Sequence, residues 1–485
     1  MINRKATLFL TTFPIALMGF SQLFFGLLSF ALFHDHQEFA FLEPATLMLI
    51  GATFCLLISK NHDMSRINFR DSLLFSTLTW TICGLFGAAP IILIAHVSLT
   101  DGVFESVSAL TTTGATVLTG LDDLPKSFLL YRQFLQWIGG LGVVVFVVAI
   151  LPMLNVGGMK LLKAETPGPV KDQKLSPRVS HAAHYLWIIY LCLSLLCALA
   201  YKFAGMSTFD AIAHSLSTVS TGGFSTHDAS MGYFHNPLLL MVSDIFMLSG
   251  AISFVIHFKT FRSRHLATFW KNEETRVFLL IILVLTIGIT TLLLRSHTYE
   301  DIPYALNVSL FHLISFITST GFGANDLSHW PTATVFILVF ASYLGGCSGS
   351  TAGGNKIIRM IIATKLIGLE LKRLLHPNGV FLVKYENRTV EPDIMSATIA
   401  FLAIVAFFSC LFTVALMMTG LDFWSSFTAV AACLNVLGPA FGELGSNFQP
   451  VSDAGTWLLS VAMILGRLEY FTVLALFLPA FWRHY

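Results

Sequence analysis

Four short segments rich in threonine or serine and closed by glycine recur along this chain of 485 residues, each set between two long apolar runs. They read SALTTTGA around Gly114, STVSTGG around Gly222, FITSTGF around Gly321 and, in a divergent copy, CLNVLGP around Gly438, at separations of 108, 99 and 117 residues. A plan of apolar run, glycine segment and apolar run that returns four times constrains the chain to tandem equivalent units. In a membrane, four such units form a ring about one axis.

Composition supports the membrane setting. The chain is 55% hydrophobic and 11% charged, with a mean hydropathy of +0.75, whereas soluble domains carry about 25% charged residues. Its net charge of +1 points neither to nucleic acid nor to a strongly charged substrate. Seven cysteines (Cys55, Cys83, Cys192, Cys197, Cys347, Cys410, Cys433) sit in or beside apolar runs without metal-ligand spacing, and are expected to be core thiols. The first apolar stretch, Leu8 to about Phe33, is longer than the ~7–15 residues of a signal-peptide core and lacks a cleavage site, so it is expected to remain as a transmembrane helix.

Further runs near the ~20 residues needed to span lie at Phe41–Ser59, Leu73–His96, Phe128–Leu154, His184–Phe203, Pro237–Phe258, Val277–Leu294, Ile394–Thr419 and Thr456–Trp482, with a broken run over Pro331–Leu375. The expected architecture is an all-α integral membrane protein with ten passes. It comprises an N-terminal helix pair (1–70) and four pore repeats at 71–155, 180–260, 274–376 and 392–485. Lys and Arg collect at Arg4 and Lys5, at 60–70, 160–178, 259–276 and 356–388, and at Arg483, while acidic residues mark the opposite loops. Because cytoplasmic loops are enriched in Lys and Arg, both termini are expected inside and every glycine segment on the outer side.

About a dozen residues precede each glycine segment: Asp101–Leu110, Ser207–Thr218, Pro303–Ile317 and Asp422–Leu434. That suits a half-depth helix of ~15–18 Å. Asp101, Asp210, Asp301 and Asp422 lie near the starts, where a carboxylate caps free N–H groups and meets the positive dipole end. Each helix then aims its negative end at the membrane centre, which favours a cation. The chain must return as extended backbone, tolerated at that depth only where it is buried in protein or lines an aqueous cavity. Rings of carbonyls from such loops can replace an ion's hydration shell.

With these residues the chain resembles the TrkH/KtrB/HKT superfamily of cation transporters, and within it the TrkH family of bacterial Trk potassium uptake systems, over essentially its whole length. The resemblance implies a filter made of Thr111, Thr112, Thr113 and Gly114; Val219, Ser220, Thr221 and Gly222; Thr318, Ser319, Thr320 and Gly321; and Asn435, Val436, Leu437 and Gly438. In the superfamily, glycine in all four loops accompanies potassium transport, and serine at the first accompanies sodium. The fourth copy departs from the pattern, with Asn435-Val436-Leu437 for the Thr/Ser-rich triplet and Pro439 after the glycine, so moderate selectivity for potassium and rubidium is expected.

In the third repeat the second run is interrupted by GGCSGSTAGGNK, Gly345 to Lys356. Glycine costs a helix roughly 1 kcal/mol, so Gly345, Gly346, Gly349, Gly353 and Gly354 predict an intramembrane loop. A phosphate-binding loop would need Lys-Ser/Thr where Asn355-Lys356 stands. Arg467 lies in an apolar run and is expected to face the pore, its donors holding the loop's carbonyls. The resemblance agrees on both parts of this gate. Arg132 and Lys202 are expected to snorkel to the surface, Asp244 to bond a neighbouring helix, with a proton-coupled step as its alternative role, and Glu469 to be a poor partner for Arg467.

The expected function is potassium conduction inward across a bacterial inner (plasma) membrane, with potassium as the transported ligand and no catalytic residues. Cytoplasmic loops too short for a nucleotide-binding domain leave regulation to a separate soluble partner; by resemblance this is a TrkA-like ring of nucleotide-binding domains, acting on a homodimer with one pore per protomer. A proton- or sodium-coupled symporter and a non-conducting scaffold are the rival readings.

Overall fold

The structure, a computed structural model, describes residues 3–60, 68–145, 179–386 and 388–483. The basic stretch 160–178 and the end of the run begun at Phe128 lie outside them. Helix α1 (Arg4–Leu28) continues as a π turn (Ser29–Phe33) and packs along α2 (Glu38–Ile58). The first repeat follows as α3 (Phe69–Ala95), the short α4 (Leu99–Leu110) and α5 (Lys126–Val145). The second is α6 (Val179–Phe203), short α7 (Thr208–Val219), α8 (Pro237–Ala251) and α9 (Phe254–Ser263). After α10 (Ala267–Lys271) come α11 (Glu273–Arg295), short α12 (Ile302–Ile317), α13 (Thr332–Leu344) and α14 (Ile357–Leu375). A two-stranded antiparallel hairpin, β1 (Lys384–Tyr385) and β2 (Arg388–Thr389), precedes the fourth repeat. That repeat is α15 (Pro392–Met417), short α16 (Phe423–Leu434), α17 (Asp453–Arg467), α18 (Phe471–Phe477) and α19 (Pro479–Trp482).

Among the described residues, six helices are long and apolar enough to cross a membrane, and two bent pairs add two more. The other two places of the ten-pass plan fall at helix α5 and at the interrupted pair α13 and α14, which are not among these eight. On α2, Leu47, Ile50 and Phe54 face outward while Phe41, Met48 and Ala52 pack inward, as expected of a helix with lipid on one side and protein on the other. Of the seven cysteines, all free, Cys192 and Cys410 lie on such exposed faces rather than in the core.

Two expected straight spans are bent. The run Pro237–Phe258 turns by 98° between α8 and α9, and the C-terminal run turns by 114° between α17 and α18. The second bend passes through Glu469 and Tyr470 at φ of 57° and 35°, so Arg467 ends a helix instead of standing within one. Hydropathy does not register such breaks, because the residues on either side remain apolar.

Each short helix is started by a side-chain cap. Ser98 and Ser207 accept from the N–H groups of Asp101 (3.1 Å) and Asp210 (3.0 Å), and Asp301 and Asp422 accept from Tyr304 (3.2 Å) and Ser425 (3.1 Å). The first two caps are therefore serines, with the aspartate in the first turn. Close-packed glycines then bring the second helix onto the short helix's end. A Cβ at Gly139, Gly250 or Gly466 would come within 3.0 Å of the carbonyl oxygen of Leu110, Val219 or Leu434, closer than real side chains approach.

Candidate cation filter and gate

The four short helices end in one geometry. Thr112, Thr221, Ser319 and Val436 adopt the left-handed conformation at φ of 58°, 53°, 53° and 59°. The N–H of the next residue reaches back five positions: Thr113 to Ser108 (2.8 Å), Gly222 to Ser217 (2.8 Å), Thr320 to Ser315 (2.8 Å) and Leu437 to Ala432 (2.7 Å). This is the Schellman motif, with its left-handed residue just past the helix end, which satisfies the last carbonyls of a helix and turns the chain sharply. Glycine is its usual occupant; threonine, and above all valine, hold it against steric strain.

This pattern corrects the second loop by one residue. Gly222 occupies the place of Thr113, and Gly223, at φ 75°, that of Gly114 (81°), Gly321 (83°) and Gly438 (99°). The loop equivalent to Thr111–Gly114 is thus Ser220–Gly223, and Val219 is the last residue of α7. Tandem glycines hid the register. Phenylalanine following both Gly223 and Gly321 could have revealed it.

In this register the loops close into a ring. A Cβ at Gly114 would come within 3.0 Å of the Gly222 carbonyl oxygen; at Gly223, of Thr320; at Gly321, of Leu437; and at Gly438, of Thr113. Every glycine therefore abuts the carbonyl of the third residue in the next loop, through all four repeats and back to the first. No larger residue fits without displacing that carbonyl. Several hydroxyls are turned away: Thr111 and Thr318 bond the carbonyls of Val107 and Ile314 (both 2.7 Å) and the hydroxyls of Thr113 and Thr320 (both 2.8 Å).

Side chains of the short helices fasten the strand leaving each glycine. Ser108, Ser217 and Ser315 donate to the carbonyls of Ala115 (2.6 Å), Phe224 (2.8 Å) and Phe322 (2.8 Å). In the fourth repeat Ala432 has no hydroxyl to give, and Thr428 instead accepts from Phe441 N–H (3.0 Å). Nine residues before the glycines stand Glu105, His214 and His312. Glu105 accepts from Val117 N–H (3.1 Å), His214 meets Ser225 (2.9 Å), and His312 accepts from Ala324 N–H (3.4 Å).

Arg132 is not at the surface. It is fully buried, donates from Nε to Glu105 (2.9 Å) and lies over the Phe224 ring at 4.1 Å. One turn later Gln136 donates to the Gly222 carbonyl (2.6 Å) and accepts from Phe224 N–H (3.1 Å). A single face of α5 thus ties the first loop to the second. At the other end of the exit strands, His227 stacks on Tyr233 at 3.5 Å and reaches Asp122 (2.5 Å) and Asp210 (3.5 Å). Burial opposes its charge, but the hydrogen bonds and fields of Asp210 and Asp122 outweigh burial and raise its pKa above the ordinary 6.5.

The glycine-rich loop joining α13 to α14 packs against the inner ends of the short helices. Gly345, Gly349 and Gly354 all have φ of 73°, and Gly345 and Gly354 cross where the loop's limbs meet, with a Cβ on either coming within 3.0 Å of the other's backbone. A Cβ at Gly346 would strike Ala352, and one at Gly353 the Asn435 carbonyl oxygen. Gly353 N–H donates to Ser319 (2.5 Å), and the Thr351 hydroxyl to the carbonyl of Val219 (3.1 Å). Arg467 donates to the Thr351 carbonyl at 3.0 Å, while its Nε and Nη2 find no partner among the described residues. Glu469 pairs with Arg359 (2.7 Å), whose guanidinium also covers Phe401 at 3.8 Å.

The model of TrkH, described as a cation transport protein family, matches residues 43–484. The chain belongs to the TrkH family. It is 44% identical over 457 residues to the Trk system potassium uptake protein TrkH of Vibrio parahaemolyticus, covering 93% of this chain and 94% of that protein. Identity to TrkH of Escherichia coli strain K12 is 42% over 426 residues, covering 87% and 88%. The crystal structure of the potassium transporter TrkH from Vibrio parahaemolyticus superposes with a TM-score of 0.91 at 40% identity, covering 99% of each chain. This TrkH-family member is accordingly an all-α membrane transporter and not an enzyme.

Residues that sequence reasoning missed in it are Glu105, Gln136, His214, His312, Glu274, Lys356 and Arg359. Glu105 and the histidines carried a signal, a polar residue at a fixed distance before each of three glycines. Gln136 carried none, because its partner lies in another repeat.

Proposed function

We propose that this chain is the potassium-conducting membrane subunit of a Trk-type uptake system, passing potassium and rubidium through the four-loop ring. The observation that carries this reading is the closed circuit in which each glycine abuts the next loop's carbonyl. Such a circuit fixes four carbonyls at the negative ends of four helices, a setting for a dehydrated monovalent cation. The loop Gly345–Gly354 with Arg467 is the gate. Two of the arginine's donor nitrogens are unspent among the described residues and its charge opposes cations, while the loop obstructs the path below the ring. Lys356, whose ammonium group bonds the Ala352 carbonyl, adds a second positive charge there. The ring faces the outside, both termini the cytosol, and the protein acts in the inner membrane as a homodimer under a TrkA-like nucleotide-binding subunit. The basic clusters read from the sequence support that orientation.

The test is rubidium uptake into liposomes under competing sodium. Rubidium entry resistant to a large sodium excess is expected. Gly114→Ser, which drives a side chain into the Gly222 carbonyl, should lower the rubidium preference about tenfold or more, the equivalent of ~1.4 kcal/mol. Unchanged preference would remove Gly114 from the filter. A proton-coupled symporter is favoured by one observation: Asp244 is buried with neither carboxylate oxygen partnered among the described residues. Currents far above ~10³ ions per second, the upper part of typical enzyme turnover, would exclude it.

A further inference from the structure

Glu274 is 5% exposed, near the start of α11, and belongs to no part of the filter. One of its carboxylate oxygens, Oε1, accepts from Ser348 N–H at 2.7 Å and from Ile358 N–H at 3.2 Å. These donors lie on opposite limbs of the glycine-rich loop, one just after it leaves α13 and one just after α14 resumes. Lys356, the residue at the start of α14, provides no side-chain cap. Glu274 therefore caps α14 from a neighbouring helix, with its charge at the positive end of that helix.

Other bonds to neighbouring elements each hold the loop at a single point. Cys347 and Thr351 N–H groups donate to the carbonyls of Ala251 (2.8 Å) and Gly250 (3.2 Å) in the second repeat, and Arg467 approaches from the fourth. The limbs meet directly at two backbone bonds, Ile357 N–H to the Gly346 carbonyl (3.0 Å) and Asn355 N–H to the Tyr343 carbonyl (3.1 Å). Beyond those backbone bonds, Glu274 is a side chain of a neighbouring helix that bridges the two limbs. Moving the loop while α14 stays in place requires one of its two hydrogen bonds to break.

We propose that Glu274 is the latch that holds the loop across the conduction path, a reading that rests on the gate assignment above. Its position also gives it a handle. Glu273, one residue earlier, pairs with Lys365 on α14 and accepts from Glu386 N–H at 3.1 Å, and Asn272 donates to the Glu386 carboxylate at 2.8 Å. Lys365 also donates to the Lys384 carbonyl at 2.8 Å. The hairpin β1–β2 is thereby fastened to the same turn of α11 that holds the loop. A cytosolic partner displacing the hairpin would pull on the latch.

The experiment records single-channel currents of the full chain in planar bilayers without partner, for the parent, Glu274→Gln, Glu274→Asp and a deletion of residues 349–353. Glu274→Gln keeps an acceptor oxygen for both N–H groups but removes the charge that strengthens the bonds, and should raise the open probability about tenfold or more. Unitary current and rubidium preference should stay at the parent's values, which a merely structural defect would not leave intact. Glu274→Asp, keeping the charge on a shorter arm, should fall between. If the deletion raises open probability and neither Glu274 variant does, the latch is overturned while the gate stands. If the deletion also leaves it unchanged, or no variant carries current, gate and latch are both overturned. Should Glu274→Gln not reconstitute, the Asp variant decides, and an open probability equal to the parent's overturns the proposal.

Discussion

Arg132 illustrates how much a single side chain contributes to the ring without touching an ion. Its charge is buried with that of Glu105, and removing one partner from such a pair costs about 3–5 kcal/mol because the other is left uncompensated. Arg132→Leu should therefore lower the unfolding temperature markedly in detergent, and Glu105→Gln added to it should recover much of the loss. A single variant as stable as the parent would contradict the pairing. The same residue marks a limit of sequence reading. Its neighbours gave it the appearance of a membrane-edge arginine, since the carboxylate that draws it inward lies 27 positions away on another helix. Gly114, Gly321 and Gly438 were legible because a glycine after a Thr/Ser-rich or amphipathic segment needs a local reason. Gly223 was obscured by Gly222 beside it.

At the scale of elements, the short helices were readable in position and length, because their capping residues and their apolar stretches are local signals. The bends after α8 and α17 were not. They depend on where the glycine-rich loop inserts, and the loop's own partners come from the second, third and fourth repeats. The exit strands of the first two repeats are pinned by His227 between Asp122 and Asp210. A histidine with a raised folded-state pKa contributes stability in full below its ordinary 6.5 and loses it as pH rises through the raised value. Asp122, held below its ordinary 3.8 by that hydrogen bond, stays charged throughout this window. Thermal unfolding from about pH 6 to pH 8 should show the parent losing more stability than His227→Gln. Parallel curves would show that the histidine does not titrate there. Arg467→Ala belongs to the same scale: it frees the Thr351 carbonyl and removes a positive charge, so rubidium leak through the partner-free protein should rise, and a leak equal to the parent's would take Arg467 out of the gate.

For the molecule as a whole, four unequal repeats produce one nearly four-fold object. The glycine-to-carbonyl contacts are the same at all four junctions, while the fastenings behind them differ: serine in three repeats, threonine in the fourth; carboxylate in the first, imidazole in the second and third. Ring geometry is therefore set by backbone packing, and its stiffness varies from wall to wall, with the fourth, at Asn435–Gly438, held by fewer hydroxyls. On the proposed filter, that asymmetry should give moderate rather than strict ion discrimination. The most direct measurement is anomalous diffraction from crystals of the full chain grown in rubidium. Rubidium should appear on the ring axis at the level of the Thr113, Gly222, Thr320 and Leu437 carbonyls, and an empty ring with rubidium bound elsewhere would contradict the account.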